Sequence, residues 1–387
     1  MFLKLKEFYI TKLFKRTLIT KFNTGKKVLI APLDWGLGHA TRCIPIIRLL
    51  LDSGFEVIIA AGNAPKALLQ QEFPDVQCVD LPGYNIEYTK DKRLLPLKIL
   101  WQAPKILINI YREQRWLQGF ITTYQPDIVI ADNRFGLYSK LVPCVFITHQ
   151  LSILAPVKWI QVFIQKINYR CINRFTVCWV PDFEDANNNI AGQLSHPAIR
   201  PAIPVKYMGM LSRFKKDQPE ISHKFKYLFL LSGPEPQRTL LEEKVMGVLP
   251  FIQEPCSIVR GLPAIQNTIE VPDNCVVYNH LATDALEQLI LQSELVVCRS
   301  GYTSVMELVA LHKMALLIPT PGQTEQEYLA RNLQEQGWFA TCNQDDDLLK
   351  AIHIALSKNY HLPRMQHHLF EESILTSVNT LIKQRLH

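Results

Sequence analysis

The sequence predicts an α/β protein with two doubly wound, Rossmann-like domains that face a central cleft, each domain a parallel sheet covered by helices on both faces. Short apolar strands rich in β-branched residues alternate with helical stretches along most of the chain, an order typical of parallel sheets. The chain of 387 residues is also longer than one typical hydrophobic core allows. Because ligands of such sheets bind at the carboxyl ends of the strands, both domains are expected to contribute to one cleft.

The strand pattern divides the chain into two similar halves. Residues 26–213 are expected to form the first domain, with strands in KKVLIAPL, FEVIIAA, VQCVDLPG, DIVIADN, CVFITHQ, FTVCWVPD and VKYMGML. A stretch rich in Pro and polar residues from Ser195 to Lys216 indicates the last of these strands plus a linker. The pattern then restarts in KYLFLLSG, CSIVRGL, CVVYNHL, LVVCRSG, ALLIPTP and WFATCN, so residues 214–387 are assigned to a second domain.

The composition indicates a globular protein with a basic amino-terminal end. The formal net charge is +7, and much of it lies in residues 1–25, where Glu7 is the only acid. We interpret this segment as a basic amphipathic leader, which either rests on an anionic membrane surface or is an ordinary solvated terminus. Positive charge concentrated at one end disfavours a nucleic-acid partner. The sequence contains no apolar run of membrane-spanning length, and nine cysteines without a C-x-x-C pair indicate neither a zinc site nor disulfides.

A glycine-containing loop after the first strand carries the first candidate site. Its sequence is DWGLGH, in which Gly36 and Gly38 let the backbone approach a ligand and His39 begins the next helix. His39 is either a general base in the cleft, because histidine titrates near neutral pH, or a residue that merely caps the helix. A dinucleotide-binding loop is disfavoured, because the third glycine and the acid after the second strand are missing.

Two other strand ends of the first domain carry groups able to act with this loop. Asp132 ends the strand IVIAD. A carboxylate bonded to a histidine fixes its tautomer and raises its basicity, although Asp132 could equally be an ordinary turn residue. His149 follows FIT at another strand end and competes with His39 for the role of base.

Three loops of the second domain carry the candidate donor site. SGPEPQR offers the backbone at Gly233 and the guanidinium of Arg238 to a phosphate. CRSGYTSVMEL lies at a strand-to-helix turn, where backbone N–H groups favour an anion. PTPGQTEQEY brings carboxylate and amide groups that suit sugar hydroxyls. Each of these segments is also compatible with a plain loop or a capped helix.

Taken together, these segments resemble a glycosyltransferase of the GT-B class. The resemblance is closest to a group with two kinds of member: the bacterial N-acetylglucosaminyltransferase that completes the lipid-linked peptidoglycan precursor, and the diacylglycerol glycosyltransferases. The C-terminal part of these enzymes is of the glycosyltransferase family 28 type. The resemblance runs from about residue 26 to the last fifty residues and is most specific over residues 284–332. In that group a Glu six residues after a Ser-Gly pair binds the ribose, and Gly301 and Glu307 have this spacing.

The resemblance implies a role for each candidate residue. His39 is implied to be the base and Asp132 the carboxylate that orients it, while Gly36 and Gly38 form the acceptor-side loop. A nucleotide sugar, expected to carry UDP, would bind the second domain. The implied donor-binding residues are Gly233, Arg238, Arg299, Ser300, Gly301, Thr303, Ser304, Glu307, Glu325 and Gln326.

Two of these positions differ from related enzymes. Arg299 stands where plant UDP-glycosyltransferases carry a histidine, and an arginine suits a diphosphate at least as well. Glu325 and Gln326 match the Asp-Gln pair that holds the donor sugar in those enzymes, after a longer loop. SGPEPQ replaces the GGS-type phosphate loop of the peptidoglycan enzyme, so this correspondence is looser.

The expected activity is therefore inverting, metal-independent transfer of a hexose or N-acetylhexosamine from a nucleotide sugar to a hydroxyl of a lipid-linked or glycan acceptor. No cofactor and no metal are expected beyond the nucleotide sugar. The expected location is cytoplasmic, either free or peripheral on the inner face of the cytoplasmic membrane. The alternatives are a nucleotide-sugar hydrolase or epimerase of the same fold, a donor-binding partner subunit without catalysis, and a nicotinamide-dependent dehydrogenase.

Overall fold

The computed structural model describes residues 25–84, 95–155, 157–185, 187–214, 222–267, 269–365 and 369–385. The leader predicted for residues 1–25 thus lies outside the described residues, except for Gly25. Among the helices that the structure describes, none combines the length and apolar character needed to cross a bilayer.

The described part of the first half contains one parallel sheet of seven strands. Their order across the sheet is β3-β2-β1-β4-β5-β6-β7, so the strand order reverses between β1 and β4. The strands are β1 (Lys27–Pro32), β2 (Glu56–Ala61), β3 (Cys78–Asp80), β4 (Ile128–Asp132), β5 (Cys144–Ile147), β6 (Val177–Val180) and β7 (Val205–Tyr207). The helices of this half are α1 (Gly38–Asp52), α2 (Asn63–Glu72), α3 (Leu95–Tyr124) and α4 (Lys158–Ile172).

The second half repeats this architecture with six parallel strands among the residues described. Their order is β10-β9-β8-β11-β12-β13. The strands are β8 (Phe225–Leu230), β9 (Cys256–Val259), β10 (Cys275–Tyr278), β11 (Ser293–Cys298), β12 (Ala315–Leu317) and β13 (Ala340–Thr341). The helices are α5 (Gln237–Val248), α6 (Thr283–Leu291), α7 (Tyr302–Ala310), α8 (Thr324–Glu335), α9 (Leu348–Ser357) and α10 (Leu369–Arg385).

The inner strands of both sheets are largely buried on their two faces, as the sequence predicts. In β1 the residues from Val28 to Pro32 are all buried, and β4 and β5 are buried along their whole length. Strands covered on both sides need apolar side chains at every position, which explains why they appear in the sequence as continuous apolar runs. The thirteen strands match the thirteen predicted segments, so the predicted fold class of two parallel-sheet domains is confirmed.

The last helix, α10, packs on the first half of the chain. The Oγ of Ser377 accepts hydrogen bonds from Trp179 Nε1 at 3.1 Å and from Lys206 Nζ at 3.3 Å, and Arg385 Nη1 donates to the carbonyl of Pro126 at 2.8 Å. The domain boundary at residue 213 stays a prediction. These contacts join the C-terminal helix to the first sheet, an arrangement that a single boundary at this residue does not describe.

Candidate functional site

Two neighbouring strand ends bring His39 and Asp132 together. β1 pairs with β4 with Pro32 opposite Asp132. The chain then turns at Gly36, whose φ of +85° lies in the left-handed region that favours glycine, and α1 begins at Gly38. His39 Nδ1 lies 2.7 Å from Asp132 Oδ1. The pair predicted from separate loops of the sequence is therefore in direct contact, where the strand order reverses.

The Asp132 carboxylate is fully buried and strongly stabilised in its charged form. Arg42 donates from Nε and Nη2 to the two carboxylate oxygens. Burial alone would raise the pKa of Asp132, but the charges of Arg42 and His39 and their hydrogen bonds hold it down at about 2. Asp132 is therefore ionised at neutral pH and can only accept hydrogen bonds.

This charge state fixes the tautomer of His39. Because Asp132 only accepts, its 2.7 Å contact assigns the proton of a neutral His39 to Nδ1 and the lone pair to Nε2, which is the arrangement that a general base needs. Arg42 Nη2 also lies 3.0 Å from this Nδ1, but it donates to Asp132 Oδ1, so the carboxylate accepts from both side chains. Burial lowers the pKa of His39, and the nearby Arg42 and His149 lower it further. Asp132 raises this pKa, but the net shift is downward. His39 is therefore unprotonated at neutral pH.

A second histidine reaches across the cleft. The guanidinium of Arg42 donates from Nη1 to His149 Nδ1 at 2.9 Å, and His149 Nε2 lies 2.7 Å from Glu325 Oε1 at the start of α8. The His149 ring also stacks on Tyr302 with a centroid distance of 4.2 Å and an interplanar angle of 4°. His149 thus joins the first sheet to two elements of the second half and does not stand as a separate base.

The first turns of α1 and α7 lie against each other. Thr303 Oγ1 donates to the carbonyl of Gly38 at 3.0 Å, and a Cβ on Gly38 would lie only 3.2 Å from that Oγ1. Gly301 precedes α7 without a side-chain cap. Two helix N-termini that face one cleft create a region of positive potential suited to an anion.

Other predicted donor residues shape the loops around this point. Ser300 Oγ donates to the carbonyl of Gln326 at 2.9 Å, and Gln326 Oε1 accepts from the backbone N–H of Thr320 at 2.9 Å. A Cβ on Gly301 would meet only Gln326 Nε2, at 4.0 Å. Ser304 is partly exposed in the first turn of α7. The structure thus brings the two donor loops together.

Glu307 is buried and already paired. Arg213 Nε donates to Glu307 Oε1 at 2.8 Å, and both side chains are largely inaccessible to solvent. Burial raises the pKa of the Glu307 carboxyl, and Arg213 opposes that effect. Arg213 precedes the second sheet and carries no motif, so only the folded structure identifies it as the partner of Glu307.

Arg299 and Arg238 do not have the direct phosphate-facing geometry expected from the sequence. Arg299 is buried and donates to the carbonyls of Gln237 at 2.7 Å and Pro319 at 3.2 Å, and to Gln344 Oε1 at 2.5 Å. Burial lowers its pKa to about 10. Its position favours a supporting role for the two donor loops over a contact with the diphosphate.

Arg238 is likewise engaged by carboxylates of its own loop and helix. Its Nε donates to Glu235 Oε1 at 2.5 Å, and its Nη1 lies 3.2 Å from Glu242 Oε2. Gly233 in the same loop has a φ of +113°, and a Cβ placed there would meet nothing within 4 Å. The backbone of this loop, rather than the Arg238 side chain, is the part open to a ligand.

Sequence reasoning missed Arg42. It lies one helical turn after His39, directly before the apolar run CIPII, and is 1% exposed. A lone arginine within a buried helical face is itself a signal, because a buried charge needs a partner. The i, i+3 spacing from His39 points to the same cleft.

The second half of the chain matches a known protein family. Residues 271–382 match the glycosyltransferase family 28 C-terminal domain. The chain is 22% identical to the UDP-N-acetylglucosamine–N-acetylmuramyl-(pentapeptide) pyrophosphoryl-undecaprenol N-acetylglucosamine transferase of Lachnospira eligens, over 84% of this chain and 88% of the relative. It is 25% identical to an uncharacterized glycosyltransferase of Methanosarcina acetivorans, over 81% of this chain and 84% of the relative.

Solved glycosyltransferase structures share the two-sheet architecture. Spinosyn rhamnosyltransferase SpnG in complex with thymidine diphosphate has a TM-score of 0.56 at 15% identity, covering 92% of this chain and 96% of that one. Glycyrrhiza uralensis UGT73P12 has a TM-score of 0.55 at 13% identity, covering 94% of this chain and 92% of that one. At these identities the likeness concerns the fold. The chain thus has the GT-B fold of these structures, and its residues 271–382 match the glycosyltransferase family 28 C-terminal domain.

Proposed function

We propose that this protein is an inverting glycosyltransferase that moves a hexose or N-acetylhexosamine from a UDP-sugar to an acceptor hydroxyl. The observation that carries the proposal is the buried His39–Asp132 pair at 2.7 Å, placed beside the first turn of α7. His39 Nε2 removes the proton of the acceptor hydroxyl, and that oxygen attacks the anomeric carbon from the face opposite the nucleotide. The carbon–oxygen bond to the diphosphate breaks, and the nucleoside diphosphate leaves with the electron pair.

The departing diphosphate is stabilised by the backbone. The uncapped N–H groups at the start of α7, including that of Thr303, with the hydroxyl of Ser304 and the open backbone at Gly233, provide donors for its oxygens. Arg299 supports these loops from behind. This arrangement supports a reaction in which protein groups, rather than a metal ion, meet the developing charge.

The ribose and the sugar are assigned to two carboxylates. Glu307, oriented by Arg213, binds the ribose hydroxyls, and Glu325 with Gln326 binds the transferred sugar. UDP is favoured as the nucleotide because relatives such as the Lachnospira eligens transferase are UDP-N-acetylglucosamine enzymes.

The donor assignment is tested by calorimetry without added metal. UDP, UDP-glucose, UDP-galactose, UDP-N-acetylglucosamine, GDP-mannose and NAD are titrated into the protein and into Glu307→Gln. We expect one UDP-sugar to bind and its affinity to fall about 10- to 100-fold in the variant, because a charged hydrogen bond to the ribose is lost. Glu307→Gln is preferred to alanine, because the glutamine amide keeps an oxygen for Arg213.

Two controls make this result specific. Glu335→Gln changes the same charge at an exposed site on α8 and should leave the affinity unchanged. Binding that is indifferent to Glu307 removes that residue from the ribose site, and no binding of any nucleotide sugar removes the transferase proposal itself. Product analysis with and without acceptor separates transfer from hydrolysis or epimerisation.

The acceptor is proposed to be lipid-linked and reached from a membrane surface. Helix α4 exposes Trp159, Val162, Phe163 and Ile167, which lie on one helical stripe, and Trp159 is 71% exposed. Lys166 and Arg170 are exposed on the same helical face, and Lys158 is exposed at its edge. An exposed apolar face that also carries basic side chains is suited to the interface of an anionic membrane. This location agrees with the undecaprenol-linked substrate in the names of the relatives.

Membrane binding is tested by flotation with vesicles containing about 30% anionic lipid. The double variant Trp159→Ser, Phe163→Ser is expected to bind at least about tenfold more weakly, because burying each aromatic side chain contributes about 1.5–3 kcal/mol. Phe251→Ser, at a 70% exposed site in the second half, is the matched control and should bind like the parent. Equal flotation of all variants would remove α4 as the membrane surface, and a chain starting at Lys26 tests the leader separately.

A further inference from the structure

One chain of polar contacts crosses the cleft from the base to the donor loops. It runs from His39 and Asp132 through Arg42 and His149 to Glu325. We propose that Arg42 and His149 are positioning residues that couple the base pair to Glu325, so that His39 acts as a base in full only when the second domain is closed on the first. This inference rests on the proposed transferase function and specifies how its base is controlled.

Each contact in the chain fixes the next. A guanidinium only donates, so His149 Nδ1 accepts from Arg42 and the proton of a neutral His149 lies on Nε2. That proton is donated to Glu325 Oε1 at 2.7 Å. Stacking on Tyr302 at 4.2 Å holds the His149 ring in the plane that this bond requires. Glu325 can therefore take this position only with α7 and α8 seated against the first sheet.

The charges of the cluster favour proton uptake in the closed state. Asp132 and Glu325 are negative, Arg42 is positive, and two neutral histidines leave the closed cluster with one net negative charge. The proton that His39 takes from the acceptor then brings the cluster to neutrality. Without Glu325 the same step would leave a buried net positive charge, which is less favourable in a site of low dielectric constant.

Besides Asp132 and Glu325, the ionisable groups nearest the cluster are the Cys43 thiol, the Tyr302 hydroxyl and the Asp182 carboxylate, and only Asp182, which belongs to the first half of the chain, is an acid of the carboxylate type. The Cys43 thiol lies 3.9 Å from Asp132 Oδ2, and burial raises its pKa. Burial also raises the pKa of the Tyr302 hydroxyl, which donates to the carbonyl of Pro181. Asp182, which lies near Tyr302, accepts from the backbone N–H groups of Ile190 and Ala191. Glu325 is therefore the charge that closure adds.

The first test measures the pH dependence of kcat/KM for Glu325→Gln. Loss of the negative charge makes His39 harder to protonate, so the acid limb should move to lower pH while the plateau falls about tenfold because the base is weaker. Glu335→Gln should keep the parent profile. A fall in rate without movement of the acid limb would assign Glu325 to sugar binding alone and overturn the proposal.

The second test asks whether the coupling passes through His149. His149→Phe keeps the stack on Tyr302 but removes both ring nitrogens. In the His149→Phe background, Glu325→Gln should shift the acid limb of the pH profile by less than about half of the shift that it causes in the parent. The reason is that His149 and Glu325 act on His39 as one unit. An equal movement in both backgrounds would show that the connecting hydrogen bonds do not matter and would overturn the relay.

A readout without turnover separates this proposal from the transferase function. NMR titration of the His39 ring in protein carrying ¹³C-labelled histidine is compared between the parent, Glu325→Gln and Glu335→Gln. If the His39 ring titrates at lower pH in Glu325→Gln and not in Glu335→Gln, the coupling is supported even when no sugar is transferred. Transfer activity with an unmoved His39 titration supports the proposed function and rejects the coupling.

Discussion

Replacing His39 with alanine is expected to lower kcat by about 10²- to 10⁴-fold while changing the dissociation constant of the nucleotide sugar by no more than about twofold. The reason is positional. His39 lies at the start of α1, on the first sheet, whereas the proposed donor contacts come from loops of the second. Removing the base leaves the donor loops intact and takes away only the proton acceptor, whose lone pair the Asp132 bond places on Nε2.

The measurement is steady-state kinetics combined with calorimetry of the donor. His353→Ala is the matched control, because His353 is exposed on α9 and should leave both quantities unchanged. The parent enzyme should also lose kcat/KM as the pH falls below neutrality, since protonated His39 cannot accept the acceptor proton. Because burial lowers the pKa of His39, this loss should begin below the usual pH range of histidine. Equal turnover of His39→Ala and the parent would remove His39 as the base.

The sheets could be predicted because their signal is local. A strand buried on both faces must be apolar at each position, as VLIAP in β1 and VVC in β11 show, and this requirement is written in neighbouring residues. The loops that follow these strands were also predictable, because ligands bind at the carboxyl ends of parallel strands. The positions of His39 and Asp132 at neighbouring strand ends made a contact possible, and the resemblance to GT-B glycosyltransferases led to their proposal as a pair.

The partners across the cleft could not be predicted, because nothing local encodes them. His149 and Glu325 are separated by 176 positions, and their contact depends on how the two sheets pack together. The direction of a long side chain is also set by its surroundings. Arg299 follows its strand as expected, yet its guanidinium is taken by the carbonyls of Gln237 and Pro319. A sequence motif gives the position of such an arginine but not the atoms that it contacts.

In the proposed mechanism, acceptor and donor chemistry depend on the same closure. Gly38 belongs to the loop that we assign to the acceptor, and its carbonyl accepts from Thr303 of the proposed donor site. A side chain at residue 38 would press on Thr303 Oγ1, so the glycine permits an approach that a larger residue would widen. A cleft closed this tightly would also exclude water, which favours transfer to the acceptor over hydrolysis of the donor.

Asp132→Asn is expected to lower kcat about 10²-fold or more and also to reduce the free energy of unfolding by about 3–5 kcal/mol. Both effects have one cause. The carboxylate fixes the His39 tautomer, and it is also the anionic partner of the fully buried Arg42, which a neutral amide would leave uncompensated. Kinetics and chemical denaturation of the same preparations measure the two effects together.

Asp127→Asn is the matched control for this variant, because Asp127 lies just before the other end of β4 and is partly exposed. The pH dependence of stability gives a further check. Because the pKa of folded Asp132 is about 2, below its value in an unfolded chain, its contribution is complete above the unfolded pKa and is lost as the pH falls towards 2. Asp132→Asn should abolish that part of the acid destabilisation. If stability falls while turnover is kept, Asp132 holds Arg42 but does not orient the base, and the two roles assigned to this carboxylate must be separated.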